Sequence, residues 1–335
     1  MFPAPKLKRI KWAAGTPFFV SVSSVSLSDS ELKMLKEINP SGMIYFKRNI
    51  ESCDSLNFLI KQTKPVESII FHSIDEEGGR VRRLPEGDWS LPSMKILSQM
   101  DKEDVSSKID NLGKTLKNIG INMNMAPNVD LRSGEDNSIV GDRSFGEDPE
   151  TVIEFSKLYI EGMKKNGINP VIKHFPGHGT TTIDSHKSLP VIDKPFKELT
   201  EQDILPYKKL ANSAGFVMNA HLLHRETSPL PASISKEWNH ILRNEIGFKG
   251  ISMTDDIEMH ALDIFDPNQK MELFFESGTD MILVCSGKEE VNHQYFEASV
   301  YLAEKNPQIL DKLENLKKRV QNFYHTKQVT SRATI

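Results

Sequence analysis

Short runs of consecutive apolar residues alternate along this chain with longer stretches in which apolar residues recur every three or four positions. The short runs predict buried strands, and the longer stretches predict amphipathic helices. The predicted strands cover residues 18–22, 42–46, 68–74, 121–125, 170–172, 215–218, 250–254 and 280–284. The predicted helices begin near residue 28 and then cover residues 54–62, 102–118, 149–166, 198–213, 236–245, 269–277, 288–305 and 307–324.

Eight strands separated by helices predict one α/β domain, a single (β/α)8 barrel over residues 1–335 with a core of about 16–325 and a frayed tail at 326–335. The same alternation also fits an open, doubly wound sheet. Polar residues favour the barrel, because they directly follow separate predicted strands and the ends of barrel strands converge on one mouth. These residues are Asp75, Asp130, Lys173, His174, Asn219, His221 and Asp255.

The composition is that of an ordinary globular protein, with 38% hydrophobic and 26% charged residues. A net charge of −4 gives no electrostatic case for a nucleic-acid partner, and we interpret the basic run at residues 6–11 as a solvated N-terminal segment. Cys53 and Cys285 lie far apart and predict no disulfide framework. We find no run that could span a membrane and no apolar segment typical of a secretory signal, so we expect a cytoplasmic protein without a membrane partner.

The densest group of acid–base side chains lies in residues 173–190, which read KHFPGHGTTTIDSHKSLP. Pro176 and the glycines beside it exclude a regular helix, so we predict a polar loop that leaves the end of a strand. In this loop Asp184 lies two positions before His186, and a carboxylate that bonds an imidazole orients it and favours its charged form. The pair predicts a general acid, although an isolated DxH would be better interpreted as a turn beside a surface histidine.

Three further motifs carry polar side chains at places where a barrel could use them. DEEGGRVRR begins at Asp75 and offers groups that bind hydroxyls or carboxylates, although a salt-bridged turn is an equally good interpretation. GDRSFG places Arg143 in the long loop 128–147, where it can contact a ligand or form a structural ion pair. TDD places Asp255 at a predicted strand end, where a carboxylate can act as a nucleophile, while Asp256 is suited to cap the next helix.

The histidines do not predict a metal site. His174 and His178 are four positions apart, but Pro176 and Gly177 between them exclude the helical geometry of an HExxH zinc site. We therefore expect acid–base chemistry with no metal and no cofactor.

Together these motifs resemble glycoside hydrolase family three, and more narrowly its single-domain bacterial β-N-acetylhexosaminidases. The resemblance extends from about Phe18 to Phe323, and DEEGGRVRR, GDRSFG, KHFPGHG with DSH, and TDD occur in the order typical of the family. KHFPGHG with DSH is the most specific motif, because the β-glucosidases of the family take a glutamate acid/base from an additional domain. The chain departs from the pattern mildly, with Glu76 where the family more often has glutamine.

The resemblance implies a role for each matching residue. Asp255 would be the nucleophile that forms a covalent glycosyl–enzyme, and His186 would be the acid/base with Asp184 as its partner. The residues that would bind the hydroxyls of N-acetylglucosamine are Asp75, Arg83, Arg143, Lys173 and His174. The implied activity is a retaining exo-β-N-acetylglucosaminidase that acts on 1,6-anhydro-muropeptides in peptidoglycan recycling, and we expect a monomer or weak dimer that binds this small carbohydrate.

Other functions remain open from the residues alone. A glycoside phosphorylase on the same barrel is one, because a histidine repels phosphate less than a glutamate does. A metal-dependent hydrolase that uses the loop histidines is another. A catalytically silent sugar-binding barrel is the third, and the joint presence of Asp255, Asp184 and His186 argues against it.

Overall fold

Eight parallel strands pair in the order of the sequence and close into a barrel. The computed structural model describes residues 4–132, 139–178, 181 and 189–332. The strands are β1 (Phe18–Val20), β2 (Gly42–Tyr45), β3 (Phe71–Ile74), β4 (Met123–Asn124), β5 (Asn169–Phe175), β6 (Phe216–Asn219), β7 (Ile251–Asp256) and β8 (Met281–Val284). Closure comes from β1, whose Phe19 lies opposite Gly42 of β2 on one side and Leu283 of β8 on the other. The predicted (β/α)8 barrel is thereby confirmed, and the doubly wound sheet is excluded.

Helices follow the strands and surround the barrel. They are α1 (Ala4–Ala14), α2 (Asp29–Ile38), α3 (Cys53–Gln62), α4 (Met94–Leu97), α5 (Lys102–Ile119), α6 (Pro149–Lys165), α7 (Phe196–Glu201), α8 (Leu205–Ala214), α9 (Lys236–His240), α10 (Pro267–Ser277), α11 (Glu289–Lys305) and α12 (Pro307–Arg332). Short polar residues fix several starts: Ser28 and Glu31 form a capping box at α2, and Asp148 caps α6 before Pro149. Within the described ranges, no helix combines the length and the apolar character that a membrane crossing requires.

The basic N-terminal run belongs to α1, a helix that we did not predict, and the side chains of Lys8 and Arg9 are exposed as expected. Ile10, Ala13 and Ala14 on one face of α1 are buried. On another face, Arg9 donates hydrogen bonds of 2.5 and 2.7 Å to the carboxylate of Glu314 in α12. The sequence did not predict this helix because its charged residues suggested full exposure. Long basic side chains can extend into solvent from a helix that has one buried face.

Two of the expected helices are interrupted. The helix expected over residues 198–213 is divided into α7 and α8, and Pro206 lies in the first turn of α8, where its missing N–H loses no helical partner. The helix expected over residues 236–245 changes from α9 to a π-helical turn at Ile241–Glu245. Conversely, α12, which was expected to end at residue 324, continues to Arg332.

Three apolar residues of α12 seal the barrel at the amino ends of its strands. Leu316, Val320 and Phe323 are spaced by four and three positions, which places them on one helix face. They pack against the apolar cluster inside the barrel. The Phe323 ring meets the ring of Phe216, the first residue of β6, edge to face with centroids 4.8 Å apart. This end of the barrel is therefore filled by side chains, and the carboxyl ends of the strands are left for a binding site.

Candidate active site

A cavity of about 320 Å³ opens at the carboxyl ends of the strands, where active sites form in this fold. Its apolar walls are formed by Ile44, Phe46, Val81, Met125, Ile139, Met218, Met259, Leu283 and Cys285. Its polar walls are formed by Asp75, Arg80, Arg83, Arg143, Lys173, His174, His178, Asp255 and Asp256. The cavity thus brings together every described residue that the sequence motifs singled out for catalysis or sugar binding.

Strand β5 presents two consecutive residues to this cavity because its pairing is irregular. Successive side chains of a regular strand point to opposite faces of the sheet. The register of β5 against β6 shifts between Ile172 and Phe175, and both Lys173 and His174 line the cavity. The two residues are therefore part of the strand, not of the loop in which we expected them.

Strand β7 shows the same irregularity. Its register against β8 shifts between Met253 and Asp256, and both Asp255 and Asp256 line the cavity. The expected strand ended before Asp255, whereas β7 includes both aspartates.

Asp75, directly after β3, is held by two cations. Its Oδ1 accepts a 2.6 Å hydrogen bond from Nζ of Lys173, and its Oδ2 accepts a 2.7 Å bond from Nη2 of Arg83. The Lys173 side chain is only 3% exposed, and that of Asp75 is 17% exposed. These charge-assisted bonds fix the direction of the carboxylate at the cavity wall.

Glu77 is a second carboxylate that contacts Lys173, and it also pairs with Arg143. Its carboxylate accepts bonds of 2.9 Å from Nε and 2.7 Å from Nη2 of Arg143, and Nζ of Lys173 lies 2.5 Å from its Oε1. Burial alone raises the pKa of Glu77, but the charges of Arg143 and Lys173 outweigh it and leave the pKa well below its usual range. Glu77 was not among our site candidates, although it belongs to the DEEGGRVRR motif.

Asp130 organises the two histidines at the start of the KHFPGHG motif. Its Oδ2 lies 2.7 Å from Nδ1 of His174, and its Oδ1 accepts backbone N–H bonds from His174 and His178. The ring of His178 is buried, and burial followed by the proximity of His174 lowers its pKa to about 4. His178 is therefore neutral at physiological pH. We had noted Asp130 only as a polar residue after a strand.

Asp255 lines the same cavity with an ionised carboxylate. Burial alone raises its pKa, but the rings of His174 and His221 and the N–H of Asp256 lower it below the ordinary value. Its Oδ1 accepts a 2.8 Å hydrogen bond from that N–H. The neighbouring carboxyl behaves differently, since burial and the charges of Glu258 and Asp255 raise the pKa of Asp256 to about 7.

Asp184 and His186, the predicted acid/base pair, lie outside the described residues. Among the side chains that the structure places, no group of three His, Cys, Asp or Glu residues is arranged to hold a metal ion. The mouth instead combines fixed donors and fixed acceptors with an ionised carboxylate, an arrangement suited to binding a hydroxyl-rich ligand and attacking it.

Comparison with known proteins assigns the chain to a family. Residues 18–323 match the glycosyl hydrolase family 3 N-terminal domain. The beta-hexosaminidase of Hydrogenovibrio crunogenus is 35% identical over 280 residues, which cover 80% of this chain and 78% of the relative. The glycoside hydrolase family 3 β-N-acetylglucosaminidase from Paenibacillus sp. has a TM-score of 0.85 at 29% identity, over 93% of this chain and 62% of that chain. NagZ from Neisseria gonorrhoeae, in complex with N-trifluoroacetyl-D-glucosamine, has a TM-score of 0.74 at 26% identity, over 91% of this chain and 98% of that chain.

The chain belongs to glycosyl hydrolase family 3, and it is a glycoside hydrolase. Within the family it groups with the β-hexosaminidases. It spans less than two thirds of the Paenibacillus chain and nearly all of the NagZ chain.

Proposed function

We propose that this chain is a retaining exo-β-N-acetylglucosaminidase that releases N-acetylglucosamine from 1,6-anhydro-muropeptides. The observation that carries the proposal is the ionised Asp255 in the same cavity as the Asp75–Lys173 pair and His174. Two relatives support the sugar: the Paenibacillus protein is described as a β-N-acetylglucosaminidase, and NagZ was solved with N-trifluoroacetyl-D-glucosamine.

Asp255 is the proposed nucleophile. Because its pKa is lowered, the carboxylate is ionised at neutral pH. In the first step its oxygen forms a bond to C1 of the sugar while the bond between C1 and the glycosidic oxygen breaks. Water then attacks C1, the bond to Asp255 breaks, and the sugar leaves with its original anomeric configuration.

His186 is the proposed acid/base, and Asp184 is the partner that orients it. In the first step the imidazolium gives its proton to the leaving glycosidic oxygen, and in the second the neutral ring takes a proton from the attacking water. An ordinary histidine pKa of about 6.5 suits both tasks near neutral pH. This assignment is supported by the DSH motif and by the chemistry that a retaining hydrolase needs.

The proposed contacts to the sugar hydroxyls come from five residues that line the cavity. The carboxylate of Asp75 accepts hydrogen bonds, and the cations donate them; the full set is Asp75, Arg83, Arg143, Lys173 and His174. The cations are held by Asp75 and Glu77 in the free protein. Little side-chain ordering is then left for the binding step, which favours affinity.

The muropeptide, a cytoplasmic location and a monomeric or weakly dimeric state extend the proposal beyond the sugar site. They rest on the resemblance of the motifs to the cell-wall recycling enzymes. Mass spectrometry of a digest of purified anhydro-muropeptide tests the substrate, because free N-acetylglucosamine should appear as the intact muropeptide disappears. Light scattering tests the oligomeric state, and a stable higher oligomer would contradict it.

The test of the activity is the release of nitrophenol from the para-nitrophenyl β-glycosides of N-acetylglucosamine and of glucose. We expect the wild type to turn over the N-acetyl substrate and Asp255→Ala to be nearly inactive. Asp263→Ala is the matched control, because Asp263 is an exposed aspartate on the loop after β7, with 56% of its side chain exposed. It should retain wild-type activity.

Three outcomes would contradict the proposal. A folded wild type that is inactive on both glycosides would remove the hydrolase activity. Equal rates for Asp255→Ala and the wild type would remove Asp255 as the nucleophile. Release of a sugar phosphate in phosphate buffer would replace hydrolysis by phosphorolysis.

A further inference from the structure

Glu76 lies behind the sugar-facing wall of the candidate site, and none of the roles above uses it. The residue is 1% exposed. Its N–H donates to Oδ1 of Asn124 at 3.0 Å, and its carbonyl oxygen accepts from Nδ2 of Asn124 at 2.8 Å and from the hydroxyl of Tyr159 at 3.1 Å. Strand β4 and helix α6 therefore fix the backbone of Glu76 independently of the loop that follows it.

From this fixed position the carboxylate holds two consecutive amides of the same loop. Its Oε2 accepts a 2.7 Å hydrogen bond from the N–H of Arg83 and a 2.9 Å bond from the N–H of Leu84. The side chain of Arg83 then turns back to Oδ2 of Asp75 at 2.7 Å. The position of the Arg83 guanidinium consequently depends on the turn that Glu76 holds.

The second oxygen of the carboxylate has no comparable contact. Oε1 of Glu76 is buried, and neither it nor the buried Nε of Arg83 has a hydrogen-bond partner among the described residues. A carboxylate that is only partly satisfied is costly to bury. An uncharged amide could accept the same two N–H bonds. The carboxylate therefore adds a titratable charge that the turn alone does not need.

We propose that Glu76 is a positioning residue for substrate binding: its ionised carboxylate holds the turn at Arg83 and Leu84 and thereby sets the Arg83–Asp75 pair at the sugar-facing wall. The proposal rests on the proposed function, because Asp75 and Arg83 are the contacts assigned there to the sugar hydroxyls.

The turn is thereby coupled to pH. The titratable and charged groups that face Glu76 are Asp75 and Arg83 on its own loop, Tyr159 on α6 and Cys53 on α3. Burial raises the pKa of Glu76 to about 7, against the two backbone N–H bonds and Arg83, which lower it. Protonation weakens Oε2 as an acceptor and adds an O–H donor with no described acceptor, so the turn loosens as the pH falls through neutrality.

The test compares Glu76→Gln with the wild type, because glutamine keeps the shape and an acceptor for the two amides but does not titrate. The readout is KM for the N-acetylglucosamine nitrophenyl glycoside between about pH 6 and about pH 8. Asp256 in the same cavity also titrates near neutral pH, so the test is the difference between the two proteins. We expect the wild-type KM to rise about threefold to tenfold more than the KM of Glu76→Gln as the pH falls over this range. Glu67→Gln changes an exposed glutamate before β3 and should keep the wild-type dependence.

A second measurement does not depend on turnover. The amide ¹H and ¹⁵N resonances of Arg83 and Leu84, observed after selective labelling, should titrate near neutral pH in the wild type and be flat in Glu76→Gln. The loss of one peak in Arg83→Lys identifies the Arg83 amide.

The outcomes separate the two proposals. A wild type that is inactive on the glycoside but whose two amides titrate overturns the proposed function and leaves Glu76 as the holder of the turn. Flat amide resonances in the wild type, or the same dependence of KM on pH in the wild type and Glu76→Gln, overturn the role of Glu76. Glu76→Leu, which removes both acceptors, should raise KM at every pH, and an unchanged KM in that variant would also overturn it.

Discussion

Nδ1 of His174 lies 2.7 Å from Oδ2 of Asp130, which is fully buried, and this contact determines which side of the ring faces a ligand. Burial alone raises the pKa of Asp130, but the His174 ring, followed by the nearby His178 and its N–H bond, lowers it to about 2. A carboxylate that is ionised can only accept hydrogen bonds, so Nδ1 carries the ring proton. Nδ1 is thereby committed to Asp130, and Nε2, which lies 3.5 Å from Nη2 of Arg143, is the ring nitrogen left for a sugar hydroxyl.

Replacement of Asp130 by asparagine should disturb this arrangement. The amide is uncharged and can present a donor to Nδ1 in place of the carboxylate acceptor, so the bond that orients the ring is weakened or lost. A hydrogen bond to a charged group is worth about 1.5–3 kcal/mol, so we expect kcat/KM to fall by about 10- to 100-fold, mainly through KM. Steady-state kinetics on the N-acetylglucosamine glycoside measures the fall in kcat/KM, with Asp263→Asn as the control. A KM within about twofold of wild type would contradict the orienting role of Asp130.

Replacement of Glu77 by glutamine should cost stability as well as binding. Lys173 and Arg143 would keep their charges without this buried counterion, and removing one partner of a buried ion pair costs about 3–5 kcal/mol. Because the folded-state pKa of Glu77 is lowered, the stabilisation is complete above its ordinary pKa and is lost as the pH falls towards the folded-state value. The difference between wild type and Glu77→Gln should thus be large at neutral pH and shrink below about pH 4.

Urea unfolding at several pH values measures this difference. Glu86→Gln is the control, because the Glu86 side chain is 82% exposed and lies 3.7 Å from Arg82, a surface pair of little energetic value. A difference between wild type and Glu77→Gln that does not depend on pH would show that lost packing, not lost charge, is responsible.

Replacement of His186 by alanine should depend on the leaving group. A general acid contributes about 10²- to 10⁴-fold when the departing oxygen needs a proton, so hydrolysis of an unactivated chitobiose-type substrate should fall by that amount. Nitrophenolate leaves without a proton, so the nitrophenyl glycoside should lose much less. Rates for both substrates, with the exposed His240→Ala as control, measure the ratio. Equal losses on both would remove His186 as the acid.

Replacement of Phe323 by alanine should destabilise the protein without affecting the site. The side chain packs against Phe216 at the amino ends of the strands, opposite the cavity. We expect a loss of about 2–4 kcal/mol in the free energy of unfolding and an unchanged KM. Chemical unfolding and kinetics on the same samples measure both, with the exposed Gln321→Ala as control. A changed KM would mean that the packing of α12 affects the geometry of the cavity at the opposite end of the barrel.

The barrel could be predicted because strands buried on both faces are marked by consecutive apolar residues. The same rule failed at β5, which continues through Lys173 and His174 to Phe175. A prediction based on hydrophobicity alone ends a strand at the first polar residue. Here they remain in a buried strand because Asp75 and Asp130, from other parts of the barrel, accept their hydrogen bonds.

The residues that line the cavity could be predicted more fully than the residues that support them. Motif position identified Arg143 and His174, but their buried partners Glu77 and Asp130 are 66 and 44 positions away. The sequence around Glu77 and around Asp130 does not show whether the carboxylate supports a neighbouring side chain or binds a substrate. The distinction arises only when the barrel closes and determines which carboxylates are buried.

The pairing of β1 with β8 also constrains how the protein can be made. Phe18 finds its partner Ile282 only after nearly the whole barrel has been translated, and Phe323 follows still later. Until then β1 can pair with β2 but its other edge has no partner, and such an edge invites association with other chains. Completion of this fold is therefore a late event on the ribosome, and its yield in cells should depend on chaperones that shield the first strand.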